Sequence, residues 1–120
     1  MRLSPDVPPE TSAAAIAAHA YGGVLRFRDL CPAYQAEKNT PLARAFLKGI
    51  RAAGGTPGFL LKTGASDMNI VGPVWGCPIL AYGPGDSSQD HTPNEHIVIE
   101  EYLRAIEVLE HALRRLEVGG

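Results

Sequence analysis

The side chains best suited to chemistry crowd into one polar stretch, Gly83 to His96, which reads GPGDSSQDHTPNEH. His91 follows Asp90 and precedes Glu95 and His96. A neutral imidazole is a good zinc ligand, and a neighbouring carboxylate can orient it or share the metal. The spacing is not that of a helical HExxH site. His91 and His96 also stand on opposite sides of Pro93 and need not face one another. On residue type alone, His91 is either a metal ligand or a solvent-exposed loop histidine. His96, just before Ile97-Val98-Ile99, more simply packs or caps locally. His19 and His111 lie on helical segments and read as surface residues.

Two glycine-containing loops offer backbone rather than side chains. Gly83-Pro84-Gly85 is either a plain tight turn or a place where the main chain approaches a ligand and exposed N–H groups hold a carboxylate. Gly64-Ala65-Ser66-Asp67 is a second loop of this kind. Ser66 lacks the GxSxG setting of a nucleophile elbow, and neither GxGxxG nor a P-loop pattern occurs, which argues against nucleophilic serine and phosphate-cradle chemistry.

The elements that must position these loops follow from punctuation and periodicity. Glu10 to Ala20 is alanine-rich and helical, stopped by Gly22-Gly23, and Val24 to Arg28 reads as a strand. Arg2 and Leu3 read as the tail of an earlier strand. After a connector at about Leu30 to Asn39, Thr40 can cap a helix and Pro41 suits its first turn. Leu42, Ala45, Phe46, Gly49, Ile50 and Ala53 then share one helical face, closed by Gly54-Gly55. Gly58 to Lys62 reads as a strand, Ser66 as the cap of a brief helical turn stopped by Gly72-Pro73, and Pro78 to Tyr82 as a buried strand feeding the polar loop. From Ile99 to about Leu116, the residues Ile99, Leu103, Ile106, Leu109, Leu113 and Leu116 make one apolar stripe. Glu100 with Arg104, and Glu110 with Arg114, are i,i+4 pairs on its solvated face. Helices alternating with strands predict an α/β fold, a sheet covered by helices.

Composition narrows the class of partner. A net charge of −2 over 120 residues gives no electrostatic reason to expect nucleic acid or an anionic membrane. No apolar run approaches the ~20 residues of a membrane span, and the opening residues do not read as a signal peptide. Cys31 and Cys77 have no CxxC spacing and read as reduced, mostly buried thiols of a cytoplasmic protein.

Taken together, the two loops in KTGASDMNIVGPVWGCPILAYGPGDSSQDHTPNEH resemble the C-terminal signature of the zinc aminoacylase/carboxypeptidase family of acetylornithine deacetylase and succinyl-diaminopimelate desuccinylase. KTGxSDMN, GPGDSSxDHTP and the upstream AYQAEKNTPLARAF are most similar to the branch that hydrolyses amino-group-carrier-protein adducts of lysine or ornithine. The resemblance covers nearly the whole chain, more weakly before Gly22. It implies the C-terminal part of a zinc-exopeptidase-like catalytic domain, helices on a mixed sheet, in residues 33–120. Residues 1–32 would be the end of a β-α-β lid, through which relatives dimerise.

The resemblance also implies roles. His91 matches the family's last zinc ligand. Gly64, Ala65 and Ser66 match the loop against the substrate's carboxylate end, with Ala65 where threonine is usual, so that only its backbone N–H remains. Gly83 and Gly85 match the turn that walls the site. Asp67 fixes its loop, and Tyr34, Lys38 and Asn39 are candidates for substrate choice. No catalytic residue is implied here: the general base and the other ligands belong to the family's N-terminal half. The expected cofactor is one or two zinc ions, with cobalt able to substitute. The expected activity is release of lysine or ornithine from a small N-acyl amino acid or an amino-group carrier protein, with this chain inactive alone. Two rivals stand beside it: a non-catalytic association or dimerisation piece, since half a sheet leaves strand edges unpaired, and a dipeptidase of the same family.

Overall fold

Four helices and one 3-10 turn carry the regular structure of residues 2–118, the residues that the computed structural model describes. In chain order these are α1 (Pro9–Ala18), α2 (Pro41–Ala52), α3 (Met68–Trp75), the 3-10 turn Ser87–Gln89 and α4 (Ile99–Val118). The chain divides into two compact units, one of Met1–Ala36 with Leu61–Cys77, the other of Glu37–Leu60 with Pro78–Gly120.

The second unit is built on α2 and α4. The hydroxyl of Thr40 accepts a hydrogen bond from the Ala43 N–H at 3.1 Å, satisfying one of the orphan donors of the first turn, and Pro41 has no donor to lose. The face predicted for α2 is the one it buries. Ala45 and Phe46 form a core with Val108 and Ala112 of α4, flanked by Leu42, Ile50, Ala53, Leu80 and Leu116. Gly49 permits the approach: a Cβ there would lie 3.0 Å from the carbonyl oxygen of Val108 and 3.4 Å from its side chain. Phe46 carries the ring of Tyr82 at 5.0 Å between centroids, tilted by 54°, a favourable aromatic geometry. Through Leu80 and Tyr82, the segment that delivers the polar loop is anchored on α2. Helix α2 ends at Gly54, whose φ of +79° is left-handed.

Helix α4 departs from expectation. It buries Ala105, Val108 and Ala112, a strip of small residues, while Ile99, Leu103, Ile106, Leu109 and Leu113 of the predicted stripe are exposed. The cause is Gly49 and its neighbours, which let α2 take the narrow face of α4 and leave the bulky one open. Of the predicted ion pairs on the polar face, Arg114 and Glu110 meet at 2.6 Å, both side chains well exposed. His111, expected at the surface, is half-buried, its Cβ 3.7 Å from the position of a Cβ on Gly49.

In the first unit, α1 stops at His19, and the chain turns through Tyr21 and Gly22, both at positive φ (+46° and +85°). Helix α3 runs past Gly72-Pro73, which was expected to stop it, and ends at Gly76 in the left-handed conformation (φ +60°). It persists because Gly72 seats the ring of Tyr34: a Cβ on Gly72 would fall 2.5 Å from that ring. Asn69 also ties the helix to the chain before it by donating to the Pro32 carbonyl at 3.0 Å.

The segments predicted as strands, Val24 to Arg28, Gly58 to Lys62 and Pro78 to Tyr82, form no ladder, and no strand occurs among the described residues. Neither the mixed sheet nor the β-α-β lid of the expected α/β fold is formed among them. The physical reason is that a strand is stable only when its N–H and C=O groups find a neighbouring strand. Here Val24, Leu60 and Leu61 are largely exposed instead. Cys31 is half-buried and Cys77 exposed, both as free thiols, so the expectation of buried thiols fails for Cys77.

The close α2–α4 contact carries a prediction. Gly49→Val places side-chain atoms against the Val108 carbonyl, which cannot retreat without moving α4. It is expected to destabilise the protein by about 1–3 kcal/mol, the range for overpacking. A drop in the denaturation midpoint at unchanged m-value measures it.

Candidate functional site

The polar loop is organised by its own short-range hydrogen bonds. The Asp86 carboxylate accepts the Ser88 N–H at 2.9 Å and starts the 3-10 turn. The Ser88 hydroxyl and then its N–H, with smaller help from Gln89 and the His96 charge, hold the Asp86 carboxyl below the usual aspartate range, outweighing slight desolvation. The Thr92 hydroxyl donates to the Gln89 carbonyl at 2.7 Å, and the His96 ring nitrogen Nδ1 meets the Asn94 carbonyl at 2.6 Å.

His91 sits in the left-handed region, at φ +64°. Histidine is among the few residues that visit this region, at a cost of roughly 1–2 kcal/mol relative to the right-handed conformation. Its backbone N–H donates to Oε2 of Glu95 at 3.2 Å, so a carboxylate braces the turn that presents the imidazole. The side chain is exposed. A hydrolytic zinc ordinarily needs about three protein ligands and a water. Among the described residues no group of three His, Cys, Asp or Glu side chains is arranged to hold a metal ion. His91 is thus an exposed imidazole on a braced, left-handed turn.

The fold asks for some of the loop glycines and not for others. Gly85 is at φ +94°, where other residues are strained. Gly58, Gly64 and Gly83 are not at positive φ, and a Cβ on any of them would meet nothing within 4 Å. Gly64 and Ala65 help line an open cavity of about 480 Å³ in the first unit, whose wall also includes Arg2, Arg28 and Cys31. Arg2 donates to the Thr63 hydroxyl at 2.9 Å, just before the loop. The loop itself is closed by Ser66, whose N–H donates to Oδ1 of Asn69 at 2.9 Å and whose Oγ accepts the Met68 N–H at 3.3 Å.

The sequence-predicted residues therefore fall into two sets: Gly64, Ala65 and Ser66 in the first unit, Gly83, Gly85 and His91 in the second. Tyr34, Lys38 and Asn39, the candidates for substrate choice, all have structural partners. Tyr34 packs on Gly72, Lys38 Nζ lies 5.8 Å from the centre of the Phe59 ring, and Oδ1 of Asn39 accepts from Arg44 at 2.6 Å. Sequence reasoning missed the Asp86 cap, though an aspartate two residues before a donor is an Asx-turn signal. It also missed the Tyr82 ring on Phe46, where burial raises the phenol's pKa.

Comparison with known proteins decides the lineage. The profile of peptidase family M20/M25/M40 matches residues 12–115. The chain belongs to that family. A LysW-lysine hydrolase of Deinococcus radiodurans is 48% identical over 122 residues, covering 100% of this chain and 33% of the relative. A protein of Pyrococcus horikoshii, provisionally named LysW-lysine/LysW-ornithine hydrolase, is 50% identical over 91 residues, 76% of this chain and 28% of its own length. Its namesake in Thermococcus kodakarensis is 52% identical over 89 residues, 74% of this chain and 26% of the relative. The chain thus spans a third or less of the length of these curated relatives.

Two measurements test the loops. Gly64→Ala and Gly83→Ala are expected to leave stability unchanged or to raise it by about 0.4–1 kcal/mol, because only the unfolded chain is restricted; thermal unfolding reads this. The Asp86 turn should depend on pH in one direction. A depressed carboxylate stabilises the turn above the unfolded-state pKa, and that contribution is lost as pH falls through the lower folded value. The Ser88 amide resonance is expected to titrate below the ordinary aspartate range, and to stay flat in Asp86→Asn.

Proposed function

We propose that this chain forms the C-terminal wall of a cytoplasmic, zinc-dependent amide hydrolase that releases lysine or ornithine from a carrier-protein-linked or N-acyl form. The observation that carries the reading is the sequence likeness: the chain is about half identical to hydrolases named for LysW-linked lysine and ornithine, and the open space beside Gly64 and Gly83 leaves room for a ligand.

In this proposal His91 supplies one metal ligand, with Glu95 bracing the turn that presents it. Bound zinc would contribute Lewis-acid activation of the attacking water. Gly64, Ala65 and Ser66 lie against the substrate's carboxylate end, and Gly83 and Gly85 wall the site. The cavity beside Gly64 and Ala65, whose lining includes Arg2 and Arg28 as well as Asp29, has the size to take a small amino acid. Residues 1–32 are the end of a lid through which the hydrolase dimerises, and residues 33–120 belong to a catalytic domain with a mixed sheet. The remaining ligands and the general base come from outside these residues.

The 120-residue chain supplied with zinc is expected to release no amine from an N-acyl lysine. In a whole hydrolase carrying this chain as its C-terminal part, His91→Ala is expected to lower turnover by more than about 100-fold. Zinc-dependent turnover by the short chain, lost in its His91→Ala variant, would overturn the reading.

A further inference from the structure

Charge is spread unevenly along this chain, and the unevenness centres on one helix. Residues 38–66 hold five of the eleven lysines and arginines and none of the thirteen acids. Three of the five, Arg44, Lys48 and Arg51, lie on α2. At 3.6 residues per turn they fall within a sector of about 60°, roughly opposite the face that carries Phe46 and Gly49. All three residues are exposed. Arg44 donates to Oδ1 of Asn39 at 2.6 Å, which orients the guanidinium without neutralising it. None of the three meets a carboxylate among the described residues. Glu37, the acid nearest in sequence, accepts the Asn39 N–H at 3.1 Å instead.

Helix stability does not account for this arrangement. Arg44 and Lys48 are four residues apart, and Lys48 and Arg51 three, so like charges stand side by side and repel. The helix dipole favours a cation only in the last turn, where Arg51 sits, and not near the start, where Arg44 does. Helix α4 shows the ordinary solution in the same unit: its five acids and three arginines mix both signs, and Glu110 meets Arg114 at 2.6 Å. Nor does an apolar surface suit the α2 face, because three uncompensated cations would lose their water. A face of one sign attracts and orients a partner of the other. From Arg44 to Arg51 it runs about 10 Å, the reach of a few neighbouring carboxylates. No exposed aromatic residue interleaves the three cations, as single-stranded nucleic acid would require.

We infer that the Arg44–Lys48–Arg51 face of α2 is a docking surface for an acidic protein, and that this protein is the amino-group carrier of the proposed reaction. The choice of carrier rests on that reading of function; the docking surface rests on charge and exposure alone. Helix α2 belongs to the same compact unit as the His91 loop and anchors it through the contact of Phe46 with Tyr82. A carrier seated on α2 is therefore held by the element that positions the loop. Docking of this kind acts on encounter with the large substrate and leaves the chemical step alone.

The test compares two substrates in a whole hydrolase carrying this chain as its C-terminal part. One is lysine linked to LysW, the carrier in the relatives' names; the other is N-acetyl-lysine, which has no protein to dock. Arg44→Glu with Lys48→Glu and Arg51→Glu is expected to raise KM for LysW-lysine about tenfold or more at low salt, with kcat unchanged. Both constants for N-acetyl-lysine should stay as they are. Added salt should bring the parent's KM for LysW-lysine toward the variant's, since exposed charges are screened. Should the triple reversal not fold, glutamine at the same three positions, which only removes repulsion, is expected to give a smaller rise of the same kind. An unchanged KM for LysW-lysine would overturn the inference, as would a rise shared by both substrates. If the parent turns over neither substrate, the proposed function has failed, and calorimetric titration of LysW into the hydrolase reads the docking surface directly. Salt-sensitive binding that the variant loses is expected. No binding, binding indifferent to the variant, or a preference of the stripe for vesicles of anionic phospholipid overturns the inference.

Discussion

The contact on which the second unit depends is the approach of two helix backbones where Gly49 meets Val108. Helix–helix packing normally interleaves large side chains in ridges and grooves. Here the missing Cβ of Gly49 and the small side chains of Ala45 and Ala112 bring α2 and α4 close enough for main chain to touch side chain. Everything else in the unit is placed relative to that pair. Leu80 and Tyr82 pack on it, the polar loop departs from Tyr82, and α4 resumes where the loop ends. A shift of one turn along α2 would move both ends of the loop together.

The loop is ordered differently. It has almost no buried apolar contact, and its shape comes from carboxylates and hydroxyls satisfying nearby backbone groups. Asp86 holds the 3-10 turn, Thr92 reaches back to Gln89, and Glu95 holds the His91 N–H. Such bonds fix direction at small net stability. They also make the turn at Asp86 sensitive to protonation, because its ionised carboxylate is the stronger acceptor of the Ser88 N–H.

What was legible in the sequence was local. The cap at Thr40, the buried face of α2 and the glycine stop after α2 all follow from interactions within a few residues, and the structure has them, whereas α1 ends at His19, short of Gly22-Gly23. Helix α4 was placed correctly and faced wrongly. Periodicity identifies an apolar stripe but not which neighbour covers it, and the neighbour that α4 has here is small. The strands at Val24, Gly58 and Pro78 failed for a related reason, since a strand is a property of a pair. Gly72-Pro73 was misread because the ring of Tyr34, distant in sequence, favours continuing the helix. For the candidate site, residue types pointed to His91 and the glycines, whereas the left-handed backbone of His91 and its brace by Glu95 needed coordinates.

The small residues along the α2–α4 contact have a consequence for how this protein can diverge. In a core of leucines, drift is symmetric: a residue can shrink or exchange shape with a neighbour at moderate cost. At Gly49 there is nothing left to shrink, at Ala45 and Ala112 only a methyl group, and any gain of volume drives two backbones apart. The contact will therefore look unremarkable in composition while being among the slowest parts of the chain to change, and accommodation of new partners will fall to the bulky outer face of α4, where side chains of many sizes fit.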